Sequence, residues 1–377
     1  DKIEVLNLFG IISSAMQRFQ DSLVYLLRSL AINDNNPMAH LNLGYLFSQE
    51  LFPTDPPPGF IVDDSLSGGK TDKIDKAVFH LKKASDLNSK DYFSLKHLGN
   101  IYLNNKHYSE AIEIFKKIPD WEGKEGLIQC YYLINDYDNY TALVSDPLST
   151  SNISISRVVS PFLSHSEIHI NSDVKNYFCP KPIDYIHSID ASDLDGLPNY
   201  NQRLLKELDS CDLGERSQAL LTNGLQASLN LFNLDSSSYP LITILKDFVI
   251  TSVNEYRNLF HNSETGMVMN WPDNFFINGW IIKMKEGGYL SPHNHELGWV
   301  SGVYYLQVPI KNNSSEGDIK FSLEHPKFPI SNLEFPKKLV TTKDSRLILF
   351  PSSLYHQTIP FSDDVTRICI AFDMQPV

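Results

Sequence analysis

The pattern of apolar and polar positions divides the chain into a helical first part and a second part built of short strands. Up to about residue 145, apolar residues recur at helical spacing, as in SLVYLLRSLAI and AIEIFKKI. After Trp271, short runs rich in Val, Ile, Tyr and Phe alternate with Gly, Asn and Asp, which is typical of strands joined by turns. A chain of 377 residues is long enough for two cores. The pattern therefore predicts an α+β protein with two domains.

The helical part carries a repeat signal. Gly10 and Gly44 lie 34 residues apart, which is the length of one tetratricopeptide repeat. Gly99 lies 55 residues beyond Gly44, and the excess is accounted for by a stretch rich in Pro, Gly and Asp, predicted to be an inserted loop at 51–71. This part of the chain resembles tetratricopeptide repeats, and the residues that fit the pattern are Ala77, Leu81, Ala84, Leu98, Gly99, Tyr102, Ala111 and Phe115.

The spacing has a reason in helix packing, because Gly and Ala let paired helices approach while Leu, Tyr and Phe fill the gaps. A degenerate fourth helical pair is predicted at 122–145, so the first domain spans 1–145. A shift to Ser, Asn, Pro and Ile predicts a linker at 146–175 and a second domain at 176–377. Helices are expected at 201–212 and 237–260, packed outside a sheet, and the run LLTNGLQASLNLF between them is predicted to be strand and turn.

Seven strand-like runs crowd into the last part of the chain. So many short strands within about 105 residues predict a sandwich or jelly roll over 271–377. The runs are FFINGWIIKMK, residues 288–293, WVSGVYYLQV, DIKFSLE, SRLILFPS, HQTIPF and TRICIAFDM.

Charge and composition exclude several classes of partner. The formal net charge of −13, without any large cluster of Lys or Arg, argues against a nucleic-acid partner. No apolar run approaches 18 residues, so no membrane span and no membrane partner are predicted. The four cysteines are scattered without a CxxC spacing, which favours reduced thiols and a cytoplasmic location.

Three histidines and one arginine carry the candidate chemistry. His293 and His295 stand two positions apart in PHNHELGWVSGVYYL, so on a strand both side chains leave the same face. His356 follows 61 residues after His295, between strand-like runs, and Arg367 comes 11 residues later. This set suggests a small β-barrel that holds a metal and an acidic ligand.

On this strand pattern, the C-terminal part resembles the iron(II)- and 2-oxoglutarate-dependent oxygenases, and more narrowly those that carry tetratricopeptide repeats. The resemblance rests on PHNHELGWVSGVYYL, EGDIKF and LILFPSSLYHQTIPF. It implies a double-stranded β-helix, or jelly roll, with supporting helices. The implied reaction couples decarboxylation of 2-oxoglutarate and consumption of O₂ to hydroxylation of a C–H bond. The resemblance places His293 and His356 as catalytic iron(II) ligands and Arg367 as the residue that grips the far carboxylate of 2-oxoglutarate.

The third metal ligand is where the sequence departs from the commonest family pattern, which has Asp or Glu two residues after the first histidine. Here that residue is His295. Iron could be bound by three histidines, or His295 could point into the pocket without binding the metal. Glu296 is a third possibility, but on a continuing strand it would face away from His293. We rank the three-histidine site first and Glu296 last.

Three functions follow as hypotheses. The first is a hydroxylase acting on a peptide, a protein or a small molecule, whose repeats bind substrate or partner or form a homodimer. The second is an interaction protein whose barrel has lost turnover, as the missing carboxylate suggests. The third is a three-histidine, cupin-like metalloenzyme that uses no 2-oxo acid.

Overall fold

The structure, a computed structural model, describes residues 2–48, 72–146 and 150–377, apart from 17, 154, 172, 174, 192–193, 195–197, 212, 228 and 312–314. The loop predicted at 51–71 lies outside the described residues. The chain divides into two compact units, Asp1–Tyr140 and Thr141–Val377.

The first unit is helical and consists of consecutive helix pairs. Each helix from α1 to α6 packs against the next one in the chain. The helical pairs predicted from the repeat spacing are confirmed, and so are the helices predicted over 122–145. The helices are α1 (Lys2–Ala15), α2 (Phe19–Ile32), α3 (Pro37–Ser48), α4 (Lys73–Leu87), α5 (Tyr92–Asn104), α6 (Tyr108–Phe115), α7 (Trp121–Leu133) and α8 (Tyr137–Val144).

The glycines that revealed the repeat lie where two helices touch. A Cβ atom on Gly44 would lie 2.5 Å from the Leu81 side chain, and one on Gly99 would lie 2.6 Å from the Phe115 ring. A Cβ on Gly126, in α7, would lie 2.4 Å from the same ring. The Phe115 ring therefore fits between two glycines, which confirms the close helix approach predicted from the sequence.

The second unit is built on two antiparallel sheets. The larger has six strands in the order β1-β7-β4-β9-β3-β2, and the smaller has three in the order β6-β5-β8. The strands are β1 (His187–Asp190), β2 (Leu221–Gln226), β3 (Phe275–Leu290), β4 (Val300–Gln307), β5 (Ile319–Ser322), β6 (Lys337–Val340), β7 (Arg346–Pro351), β8 (Tyr355–Thr358) and β9 (Arg367–Pro376).

The side chains of β9 alternate between two cores, as the period of two requires. Ile368, Ile370 and Phe372 lie in a core that includes the helices α11 (Tyr200–Asp209) and α12 (Pro240–Leu259). Residues on the opposite face of β9 point into a second core, which both sheets line. The two helices predicted outside a sheet are thus confirmed, and the inner face of the larger sheet is left to face the smaller one.

Two strands are present that the sequence did not predict. β1 and β6 are four residues long and lie at the ends of their sheets. Three of the four residues in β6 are exposed, so its sequence KKLV lacks the apolar alternation of a half-buried strand. The run at 288–293 is not the separate strand that the sequence predicted, because β3 continues from FFINGWIIKMK through Gly287 and Gly288 and ends at Leu290.

The segment 146–175, expected to be a linker, contains the helices α9 (Thr150–Ile153) and α10 (Ser160–His169). The Phe162 and His165 rings of α10 pack against Phe328. The Ser-rich composition that indicated a linker instead serves buried hydrogen bonds, since Asn176 Nδ2 donates to the Ser160 hydroxyl at 2.9 Å. This segment therefore belongs to the compact second unit.

The structure describes all four cysteines and allows the helices to be compared with the length of a membrane span. Cys130, Cys179 and Cys369 are buried, Cys211 is partly exposed, and all four are free thiols. In the described part of the chain, no helix combines the length and the apolar character that a bilayer crossing needs.

We predict that Gly99→Ala lowers the free energy of unfolding by about 1–3 kcal/mol, because the added methyl group overlaps the Phe115 ring. The better helix propensity of Ala offsets part of this loss. Chemical denaturation of Gly99→Ala, Phe115→Leu and the double variant measures the effect. The smaller Leu should make room for the methyl group, so the double variant loses less than the sum of the single losses. Strictly additive losses would contradict the contact.

His165 makes the second unit sensitive to acid. It is 2% exposed, and burial, with a contribution from His169, lowers its pKa to about 3. Because the unfolded chain binds a proton near pH 6.5 and the folded one does not, stability is lost as the pH falls below 6.5. We predict that His165→Leu reduces the loss of unfolding free energy between pH 7.5 and pH 5 by on the order of 1–2 kcal/mol. Equal pH dependence in denaturant titrations of the two proteins would contradict this prediction.

Candidate metal site

His293 and His356 face each other across two neighbouring chain segments. The His293 N–H donates to the carbonyl of His356 at 3.0 Å, and the His356 N–H donates back at 2.9 Å. Opposed residues of such an antiparallel pair project on the same side, close together. Their ring centroids are accordingly 4.3 Å apart. Backbone pairing therefore joins two histidines that are distant in sequence.

His295 joins this pair from the same segment as His293. Its N–H donates to the carbonyl of Ser352 at 2.9 Å. Its ring centroid lies 5.2 Å from those of both other histidines. One ring nitrogen from each of the three residues lies within 4.8 Å of the others, and no other group of three metal-binding side chains occurs in the described ranges.

The sequence predicted that His293 and His295 lie on a regular strand, but the structure does not have a strand there. They lie in the segment between β3 and β4, where His293 forms only an isolated bridge. They still share a side because alternate N–H groups bond to the 352–356 segment. Glu296 is exposed and is not part of the cluster. The geometry thus matches the preferred three-histidine arrangement and leaves Glu296 outside it.

The Nδ1 atom of each histidine already has a hydrogen-bond acceptor. His293 Nδ1 lies 2.8 Å from the carbonyl of Ser291, and His356 Nδ1 lies 3.1 Å from the carbonyl of Leu354. Because carbonyl oxygens only accept, each Nδ1 must carry the hydrogen. The Nε2 atoms then keep their lone pairs. This arrangement, in which one ring nitrogen is held and the other is free, is typical of histidines that bind metals.

His295 has a charged acceptor, Asp373, which the sequence reasoning missed. His295 Nδ1 lies 2.7 Å from Asp373 Oδ1. Ser301 Oγ lies 2.6 Å from the same oxygen and 2.8 Å from Ser352 Oγ. A signal existed in the strand sequence RICIAFDM, where Asp373 is six residues after Arg367 and therefore on the same face. Its contact with His295, however, depends on how β9 pairs with β4.

Burial sets the protonation of the cluster. It lowers the pKa of His293 to about 4, with a smaller contribution from His295. Burial and the two neighbouring imidazoles lower the pKa of His356 well below its ordinary value. Burial alone would lower the pKa of His295, but the charge of Asp373 and the hydrogen bond to it raise that pKa. His293 and His356 are therefore neutral at pH 7, as metal binding requires.

Arg367 lies in the same cavity as the three histidines, and the cavity volume is about 110 Å³. The residue is 2% exposed and its guanidinium lies 5.0 Å from the centre of the Tyr305 ring. Its Nη1 donates to two weak acceptors, Met284 Sδ at 3.7 Å and Cys369 Sγ at 3.5 Å, while its Nε finds no acceptor among the described residues. A buried cation with weak partners is ready for an anionic ligand. Apolar cavity walls come from Trp280, Ile282, Leu290, Val303, Ile319 and Phe350.

Comparison with known proteins gives one family match. Residues 278–373 match the family described as "Putative 2OG-Fe(II) oxygenase". This range includes the three histidines, Arg367 and Asp373. The C-terminal part of the chain thus carries a domain of the 2OG-Fe(II) oxygenase family. No curated protein matches the chain.

Several solved structures are similar at low sequence identity. A prolyl-4-hydroxylase from Pseudomonas putida has 12% identity and a TM-score of 0.36, with 58% of this chain and 99% of that chain covered. A tetratricopeptide repeat protein from Parabacteroides merdae has 15% identity and a TM-score of 0.34, with 44% and 57% covered. HygX from Streptomyces hygroscopicus, crystallised with nickel and 2-oxoglutarate, has 12% identity and a TM-score of 0.37, with 55% and 87% covered.

We predict that the purified protein binds one divalent transition-metal ion and that His356→Ala weakens binding at least about 100-fold, because it removes one of the three imidazoles that could hold the ion. Anaerobic titration with Co(II) or Fe(II) measures the affinity. His187→Ala, on β1, is the control and should bind like the wild type. Unchanged metal affinity in folded His356→Ala would contradict the site.

Proposed function

We propose that the second unit is an iron(II)- and 2-oxoglutarate-dependent dioxygenase that hydroxylates a C–H bond of its substrate. One observation carries the proposal: three clustered imidazoles line the same cavity as a buried guanidinium that has no carboxylate partner among the described residues. The match of residues 278–373 to the oxygenase family supports the same reaction class.

The donor set fits iron(II). His293, His295 and His356 would hold the ion through their Nε2 atoms, since each Nδ1 is already engaged. Three protein ligands leave coordination positions open for a cosubstrate and for O₂. When bound, the iron would supply the redox chemistry with O₂, which no side chain of the cavity can provide.

The rest of the cavity fits 2-oxoglutarate. Arg367 would bind the carboxylate far from the metal, because a planar guanidinium can donate two parallel hydrogen bonds to it. Met284 and Cys369 accept only weakly, so the anion would gain strong hydrogen bonds at little cost to existing ones. The apolar walls exclude water and strengthen the electrostatic attraction.

We also infer the finer architecture. The two antiparallel sheets, with a core between them and helices outside the larger one, support a double-stranded β-helix, or jelly roll. In this arrangement the histidines belong to the segment between β3 and β4 and to β8, while Arg367 begins β9. The frame of strands would hold the ligands rigidly.

The helical unit is proposed to bind a peptide or protein, either as substrate or as partner, or to form a homodimer. Tyr45 on α3 and Phe93 on α5 are 41% and 58% exposed, and both pack against the His97 ring. An exposed aromatic patch that joins two successive helix pairs is suited to apolar side chains of a partner. A small-molecule substrate in the second unit is equally compatible with its cavity.

A three-histidine enzyme that uses no 2-oxo acid is the second candidate, because His295 stands in place of the usual carboxylate. Arg367 distinguishes the two. The buried charge of Arg367 needs an anionic partner. In the first candidate this partner is 2-oxoglutarate, whereas the cupin-like enzyme binds no such cosubstrate.

We predict that Arg367→Met raises the KM for 2-oxoglutarate by at least about 100-fold, because the lost charge-assisted hydrogen bonds contribute about 1.5–3 kcal/mol each. Formation of succinate in the presence of O₂ measures turnover. An anaerobic titration of the iron(II) protein with 2-oxoglutarate, followed by the visible charge-transfer band, measures binding.

Arg346→Met is the matched control, since Arg346 makes an ion pair with Asp190 outside the cavity. It should leave the KM for 2-oxoglutarate unchanged. If Arg367→Met binds and turns over 2-oxoglutarate like the wild type, or if the wild type forms no succinate with any substrate, the proposed function fails.

A further inference from the structure

We propose that Asp373 is a positioning residue that supplies, through the imidazole of His295, the negative charge that a carboxylate ligand would otherwise bring to the metal. The proposal rests on the proposed metal-binding role of the three histidines. Asp373 would not bind the metal itself, but it would supply the negative charge that three neutral histidines lack.

The first observation is the burial of Asp373. Its side chain is 8% exposed, and His295 is the one basic residue that forms an ion pair with it among the described residues. A buried carboxylate without a positive partner is costly. A cation on the other side of the His295 ring would compensate this charge, because Asp373 Oδ1 lies 2.7 Å from Nδ1 and the metal would bind at Nε2.

The second observation is that the three acceptors differ. His293 and His356 donate to neutral backbone carbonyls, whereas only His295 meets a carboxylate. His295 is also the residue at the position where an Asp or Glu ligand is usual. The charge has therefore moved one residue outward from the metal, and an imidazole that donates to a carboxylate is a stronger metal ligand than one that donates to a carbonyl.

The third observation is that the carboxylate is fixed in place. Ser301 is the cross-strand partner of Asp373 between β4 and β9, and its hydroxyl lies 2.6 Å from Oδ1. A Cβ on Gly298 would lie 2.4 Å from Ser352 Oγ and 3.2 Å from Asp373 Cγ. Because Gly298 has no side chain, the Ser352 hydroxyl and the Asp373 carboxylate have room to lie beside its backbone.

Metal affinity tests the proposal without relying on turnover. We expect Asp373→Asn to weaken binding of Co(II) or Fe(II) by about 10- to 100-fold in anaerobic competition with a chromogenic chelator. Asp190→Asn, which removes a carboxylate outside the cavity, is the matched control and should bind like the wild type. Circular dichroism and thermal unfolding establish that each variant is folded.

A rescue experiment separates charge from structure. His295→Asp brings the usual carboxylate ligand but places it beside Asp373, so the two like charges should weaken metal binding. In the double variant His295→Asp/Asp373→Asn, the amide can donate to the new ligand and a single negative charge remains. We expect the double variant to bind metal at least about tenfold more tightly than His295→Asp. If Asp373 has only a structural role, the double variant binds metal no more tightly than His295→Asp, or binds it more weakly.

The outcomes distinguish the two levels of inference. A wild-type protein that binds no metal overturns the proposed function and this proposal together. A wild-type protein that binds metal, alongside Asp373→Asn with equal affinity, overturns only the role of Asp373. A double variant that binds no more tightly than His295→Asp does the same.

Discussion

The reciprocal backbone pairing of His293 with His356 is the constraint on which the rest of the site depends. It joins the segment after β3 to β8, and therefore connects the six-stranded sheet to the three-stranded one at the point where the imidazoles meet. Side-chain rotamers can be adjusted, but the separation of two opposed residues is set by the hydrogen bonds of the ladder. Backbone hydrogen bonds thus set the positions of the three imidazoles. His295 lies beside the other two because its own N–H donates to the same neighbouring segment.

The chemistry of the cavity follows from where charge is buried. Among the described residues, Arg367 has no carboxylate partner, and the ion-pair partner of Asp373 is an imidazole. In a protein interior, charges of this kind are retained only where something compensates them. A metal ion and a dianionic cosubstrate would compensate both at once. The hydrophobic walls of the site raise the cost of isolated charges and would therefore strengthen its attraction for both ligands.

Sequence patterns predicted the parts of this molecule that depend on local order. The glycine spacing identified the helix pairs, and the period of two identified most strands. The sequence also indicated His293, His295, His356 and Arg367, and these four residues line one cavity. The elements that were not predicted depend on tertiary contacts. β6 has the sequence KKLV, and it forms a strand by pairing with β5. In α10, serines that indicated a linker form buried hydrogen bonds. Asp373 shares a face of β9 with Arg367, but its contact with a histidine 78 residues earlier in the chain depends on how β9 pairs with β4.

β9 carries Arg367 and Asp373 on one face and a row of large apolar residues on the other. A slip of one residue in its pairing would turn both charges into the apolar core under the helices and turn Ile368, Ile370 and Phe372 toward the cavity. Such a strand would leave two charges unsolvated, so misregistered arrangements are strongly disfavoured. The two charged residues of β9 therefore also disfavour other registers of this strand, and apolar residues at positions 367 and 373 would make its register less certain.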